Sequence, residues 1–106
     1  MDNIMKCAPD VEVVFHFNGT KKHKIKSGYR PAHRITDTYL TTGIHNYENE
    51  YADPDGDING TITFLDSNSY QHSLWEGKKI IIQEGEHVVG YAEIIRVLNN
   101  KLKVEL

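Results

Sequence analysis

The sequence predicts an all-β fold, and three observations carry that expectation. Apolar and polar residues alternate with period two in several short stretches. Turn signals such as Asn18-Gly19, Glu84-Gly85-Glu86 and Asn99-Asn100 separate them. No stretch carries a helical period long enough for a three-turn helix. Several short strands with frequent turns in one small domain point to a barrel or a sandwich. At 106 residues the chain is read as a single domain spanning 1–106, with one modest core.

Taken in order, VEVVFHF (11–17) sets Val11, Val13, Phe15 and Phe17 on one face, against Glu12, Val14 and His16 on the other. Asn18-Gly19 follows directly, and both residues tolerate positive φ, so a tight hairpin with a return strand through Lys24–Lys26 is expected. TITFL (61–65) is a further strand, with Ile62 and Phe64 sharing a face. GKKIIIQ (77–83) and HVVGYAEIIRVL (87–98) read as a second hairpin, and the run Ile80-Ile81-Ile82 suggests burial on both faces. Gly90 within that strand signals a bulge or a close backbone approach. In KLKVEL (101–106), Leu102, Val104 and Leu106 share a face and predict an extra C-terminal strand.

Composition narrows the classes. A hydrophobic fraction of 39% with 25% charged residues fits a folded domain rather than a disordered chain. No run approaches a membrane span, and MDNIMKCAPD has no apolar core of signal-peptide length, so a cytoplasmic protein without a membrane partner is expected. The single cysteine, Cys7, has no internal disulfide partner, which suits a reducing compartment. The six histidines lack the spacing of a local metal site and read as titrating surface residues. Nothing resembles a nucleophile elbow, a catalytic cysteine context or a phosphate-cradling GxxxxGK[ST] loop. A non-enzymatic protein without a cofactor is expected.

DGDINGTITFLD (55–66) is close to a calcium loop. Asp55, Asp57, Asn59, Thr61 and Asp66 supply oxygens near the required positions, and Gly60 stands sixth. Three features argue for a turn leading into a strand instead. Asp66 is shorter than the glutamate that usually closes such a loop, the following SNSYQHS is poor helix material, and Pro54 would end an entering helix early. The metal expectation is therefore none, with these five residues as the alternative.

The net charge of −3 hides an uneven layout. Residues 21–34 hold six Lys/Arg and no acid, whereas residues 35–77 hold eight acids and no Lys or Arg. Within the basic run, SGYRPAH (27–33) contains a Gly-Tyr-Arg-Pro core. TDTYLTTGI (36–44) follows, and GKKIIIQEGEHVVGYAEIIRVL closes the series. In this order the three segments resemble the third, C-terminal β-barrel domain of elongation factor Tu, over residues 11–98. The resemblance implies a closed antiparallel barrel of about six strands. It further implies an RNA-facing surface: Arg30 would contact tRNA backbone, and Glu84 and Gly85 of the closing turn would contact the T-stem. Lys24, Lys26 and Arg34 flank Arg30 in sequence and would add phosphate contacts. The chain departs from the family at Ala32-His33 and Glu86-His87, and in the acidic segment 45–58.

Two functions follow as expectations. One is RNA binding, of tRNA or another RNA, through Arg30, Lys24, Lys26, Arg34, Glu84 and Gly85. The other is protein docking through Glu48, Glu50, Asp53 and Asp55 with Tyr47 and Tyr51 as aromatic anchors, the partner being a basic protein such as a toxin or a component of the translation apparatus.

Overall fold

The computed structural model describes residues 8–66 and 71–104. Eight strands follow one another: β1 (Val11–Phe17), β2 (Ile25–Lys26), β3 (Ala32–Thr36), β4 (Tyr39–Tyr47), β5 (Tyr51–Ala52), β6 (Asp57–Phe64), β7 (Lys79–Glu84) and β8 (His87–Val97). Six of them pair antiparallel in the order β1-β6-β4-β3-β7-β8, and β8 returns to β1. The fold is thus all-β, a closed six-stranded antiparallel barrel, and closure removes the free edges an open sheet would expose. The remaining two strands, β2 and β5, form a ribbon beside it.

The barrel fills by alternation. Val11, Val13, Phe15 and Phe17 of β1 point inward and meet Ile62 and Phe64 of β6, Ile80 and Ile82 of β7, and Ala92 and Ile94 of β8. Burying each of the larger side chains contributes roughly 1.5–3 kcal/mol. Two register shifts, opposite Ile82/Gln83 and Glu12/Val13, each give β8 one extra residue. They bend the strand and change which side chains face inward, so Val97 is buried while Ile95 is exposed. Gly90 lies at the first of these shifts, and a Cβ there would come within 2.2 Å of the His16 carbonyl. Bulge and close approach therefore coincide.

Three expectations, and the reading of the calcium-like stretch, are corrected. Asn18-Gly19 does not return the chain onto β1, because β6 and β8 already occupy both edges of that strand. The chain instead crosses the barrel end, with Gly19 at φ 85° and its N–H donating to the Pro54 carbonyl, and β2 pairs with β5. Of the isoleucine run, Ile80 and Ile82 are buried but Ile81 is on the outer face, so β7 alternates like its neighbours. The last described residues, 101–104, form a turn and a single parallel bridge, Lys103 to Leu74, rather than a strand; Glu105 and Leu106 lie outside the described residues. The calcium pattern is extended: Asp57 to Phe64 is a strand of about 23 Å whose side chains alternate between two faces, so Asp57 and Asp66 cannot close on one ion. Among the described residues no group of three or more His, Cys, Asp or Glu is arranged to hold a metal.

One carboxylate pins an end of the barrel. Asp10 is buried, and its Oδ2 accepts from the Phe64 N–H at 2.7 Å while Oδ1 accepts from Asn99 Nδ2 at 2.8 Å. Its own carbonyl accepts from the N–H groups of Leu98 and Asn99. The residue thereby ties the start of β1 to the ends of β6 and β8. Asp10→Ala strands the buried Phe64 N–H and the part-buried Asn99 amide, so a loss of ~2 kcal/mol is expected in urea unfolding. Asp10→Asn, which keeps one acceptor, should lose less.

Candidate functional site

The basic and acidic segments, far apart in charge, are neighbours in space. Register pairs Ile25 with Ala52 and Lys26 with Tyr51. Ser27 N–H donates to the Glu50 carbonyl at 2.8 Å, and Phe17 N–H donates to the Gly56 carbonyl at 2.9 Å. Between β2, β5 and the start of β6 lies an open groove of about 290 Å³, whose lining includes Lys24, Glu48, Asn49, Tyr51, Asp53 and Asp57. Glu48, Glu50, Asp53 and Asp55 are exposed, and Tyr51 keeps 46% of its surface in solvent. Asp53 Oδ1 accepts from the Asp55 N–H at 2.9 Å, which shapes the turn presenting these carboxylates. At the edge, Asp57 is held 2.9 Å from His16 Nδ1, whose ring stacks on Tyr91. Three carboxylates to one ammonium give the groove a negative balance. Tyr47, expected as an anchor, is instead buried at 8% exposure.

The residues expected to meet RNA are dispersed among other partners. Lys24 lines the acidic groove. The Arg34 guanidinium donates to the Asp37 carbonyl at 2.9 Å and to Gln83 Oε1 at 3.3 Å. Glu84 accepts from Lys21 Nζ at 2.7 Å and from the Tyr29 hydroxyl, so its carboxyl is held below the usual range, first by Lys21 and then by Tyr29. Burial and the same Glu84 bond push the Tyr29 phenol well above its usual value. Gly85 sits at the first turn position with φ 58°, as a tight β7–β8 connection with Gly first requires. Arg30 and Lys26 are exposed, and within the described residues their side chains make no hydrogen bond or ion pair. The structure brings Tyr29, Lys21 and Glu84 together.

Sequence reasoning missed a polar chain inside the barrel. His33 and His45 are fully buried, against the expectation of surface histidines, and their Nε2 atoms lie 2.8 Å apart. His33 Nδ1 is 3.3 Å from the Thr41 carbonyl, and His45 Nδ1 is 2.9 Å from the Tyr47 hydroxyl. A carbonyl only accepts, so His33 carries its proton on Nδ1 and accepts on Nε2. His45 must then donate from Nε2, and Tyr47 donates to its Nδ1. One arrangement of protons satisfies every group. Desolvation is the main cause that lowers His33 to about 4, and desolvation followed by the neighbouring His33 holds His45 well below its ordinary value. Burial pushes the Tyr47 phenol up. Gly43 makes the pairing fit, since a Cβ there would meet His33 Cε1 at 2.9 Å and Ile62 Cγ2 at 2.7 Å. The available signal was TTGIHNY, where Gly43, His45 and Tyr47 alternate inward with Thr41.

No protein-family model matches this chain, and no curated protein matches it either.

Proposed function

We propose that this barrel is a non-enzymatic protein-docking module that binds a basic protein surface through the groove between β2, β5 and β6. The observation that carries this reading is the groove itself: Glu48, Asp53 and Asp57 line it together with the half-exposed Tyr51, and Glu50 and Asp55 are exposed on the same stretch of chain. An aromatic ring among acids offers apolar contact area together with charge complementarity to Lys/Arg-rich surfaces. A basic nuclease-type toxin and a basic component of the translation apparatus both present such a surface. The same carboxylates oppose RNA, because each one near a phosphate raises the cost of approach. Lys21, Lys24 and Arg34 are already facing acids or backbone carbonyls.

The test is capture from lysate at low and high salt, with bound RNA and protein analysed separately. Expected is one stoichiometric basic protein, captured at least tenfold less by the quadruple variant Glu48→Gln, Glu50→Gln, Asp53→Asn, Asp55→Asn. Asparagine at 53 keeps the turn acceptor, so loss of capture would report charge rather than loop collapse. Recovery of tRNA, sensitive to salt and to Arg30→Ala but not to the quadruple change, would replace docking with RNA binding.

A further inference from the structure

The buried histidine pair lies directly beneath the segment that carries Arg30. Three backbone hydrogen bonds fasten this segment to β4; the Gly43 N–H donates to the Pro31 carbonyl at 3.2 Å, and the other two are made by His45. Gly28 N–H donates to its carbonyl at 2.7 Å, and its own N–H donates to the Tyr29 carbonyl at 2.8 Å. Tyr47 N–H donates to Ser27 Oγ at 3.0 Å. The Tyr29 ring stands edge-on over the His45 imidazole, with centroids 5.4 Å apart. On its other sides the pair is enclosed by Phe15 and Phe17 of β1 and Phe64 of β6. These walls belong to ladders of six and seven paired residues, whereas β2, which continues the crossing segment, pairs through two. Water reaches the histidines most easily by lifting residues 27–31.

We propose that His33 and His45 form an acid-operated latch, in which protonation of the pair releases residues 27–31 from β4 and with them the β2–β5 ribbon.

The proton count gives the reason. In the neutral chain each imidazole donates once and accepts once, and nothing is left over. A first added proton can be shared between the facing Nε2 atoms if the Tyr47 hydroxyl turns round to accept, at the cost of a buried, uncompensated charge. A second puts two N–H groups head to head at 2.8 Å, which no tautomer relieves. Among the described residues no carboxylate contacts either imidazole to neutralise the charge. Facing the pair, β1 offers Phe15 and Phe17, β6 offers Phe64, β7 offers Ile82, β4 offers the Tyr47 phenol, and the crossing segment offers the Tyr29 phenol. Among the described residues the carboxylate reached through this network is that of Glu84, beyond the Tyr29 hydroxyl and already engaged by Lys21. Once the segment lifts, the imidazoles regain ordinary basicity near 6.5, whereas closed His33 stays near 4. The open form therefore gains protons that the closed form refuses. The opening equilibrium rises by up to about tenfold per pH unit for each histidine across that window. The latch stands independently of what the groove docks.

Amide hydrogen exchange followed by NMR tests it, with protection corrected for the pH dependence of intrinsic exchange. Between pH 7 and pH 5, protection at Gly28, His45 and Tyr47 should fall at least tenfold, and at each pH it should stay at least tenfold below that at Ile82 and Ala92, which exchange only when the barrel unfolds as a whole. The imidazole resonances of His33 and His45 should shift over the same range. His45→Gln keeps an amide donor and a carbonyl acceptor but cannot charge, and should flatten the profile. His16→Gln, on the outer face, should leave it unchanged. Equal protection at all five amides at each pH, or no loss at Gly28, His45 and Tyr47 in the wild-type chain, would overturn the latch; the wild-type result decides even where His45→Gln does not fold.

Discussion

Gly60→Ala is expected to cost at least ~3 kcal/mol and to bring the barrel close to unfolding. Gly60 lies in the middle of β6, paired with Val13 on one side and Tyr47 on the other. A Cβ built there would sit 2.2 Å from the Asn46 carbonyl oxygen and 2.8 Å from Phe15 Cε2. The carbonyl belongs to the neighbouring strand and cannot rotate away as a side chain would. Phe15 is fully buried and packs on His45 at 4.3 Å and edge-on to Tyr47 at 5.1 Å, so it has no vacant space to enter. The methyl must therefore force β4 and β6 apart. A domain of this size has a total stability of roughly 5–15 kcal/mol, so the substitution removes a large share. Gly56→Ala is the control: its Cβ would meet Asp53 Cβ at 3.4 Å, an ordinary contact, and a change within about 0.5 kcal/mol is expected. Urea unfolding of both variants checks the contrast.

Stability should also fall steeply in mild acid. The folded state holds His33 near 4, below its ordinary 6.5, so the unfolded chain binds more protons between those values. The stabilisation is complete above pH 6.5 and is lost as pH drops towards 4, where the folded state begins to protonate as well. For His33 alone the 2.5-unit gap corresponds to ~3 kcal/mol, and His45, depressed in the same direction, adds to it. Glu84, whose carboxyl is lowered by Lys21 and Tyr29, loses its contribution only below the ordinary carboxylate range, so it does not blur this window. Urea midpoints should therefore decline from pH 6.5 to pH 4. A flat profile from pH 7 to pH 5 would show that the two imidazoles are not buried as a neutral pair.

Strands β1, β7, β8 and the second half of β6 were legible because their inward positions are filled mainly by Val, Ile and Phe, whereas Asp57–Gly60, read as a turn, forms the first half of β6. Residues 32–47 were not legible in this way. Inward positions of β3 and β4 hold His33, Thr41, Gly43, His45 and Tyr47 beside the single aliphatic Ile35, so a polarity scale sees little of a buried face. The apolar rule fails there because the polar groups satisfy one another, with Gly43 vacating the space His33 fills. The β2–β5 ribbon was also hidden. Two-residue strands carry no period, and the expected hairpin after Asn18-Gly19 is ruled out by long-range pairing of β1 on both edges rather than by anything local. Charge blocks were visible in the sequence, but a linear sequence does not show that oppositely charged blocks fold against each other. Their juxtaposition places Lys24 of the basic block in a groove whose other charged lining residues are carboxylates.

The most direct test of the docking surface is an NMR titration of the labelled chain, first with a Lys/Arg-rich peptide and separately with a single-stranded RNA oligonucleotide, at two salt concentrations. Amide shifts confined to residues 48–58 and Lys24 on adding peptide, weakened by salt and absent in the quadruple neutral variant, are the expected result. Shifts centred on Arg30 and the Gly85 turn with RNA, and none in the groove with peptide, would contradict it.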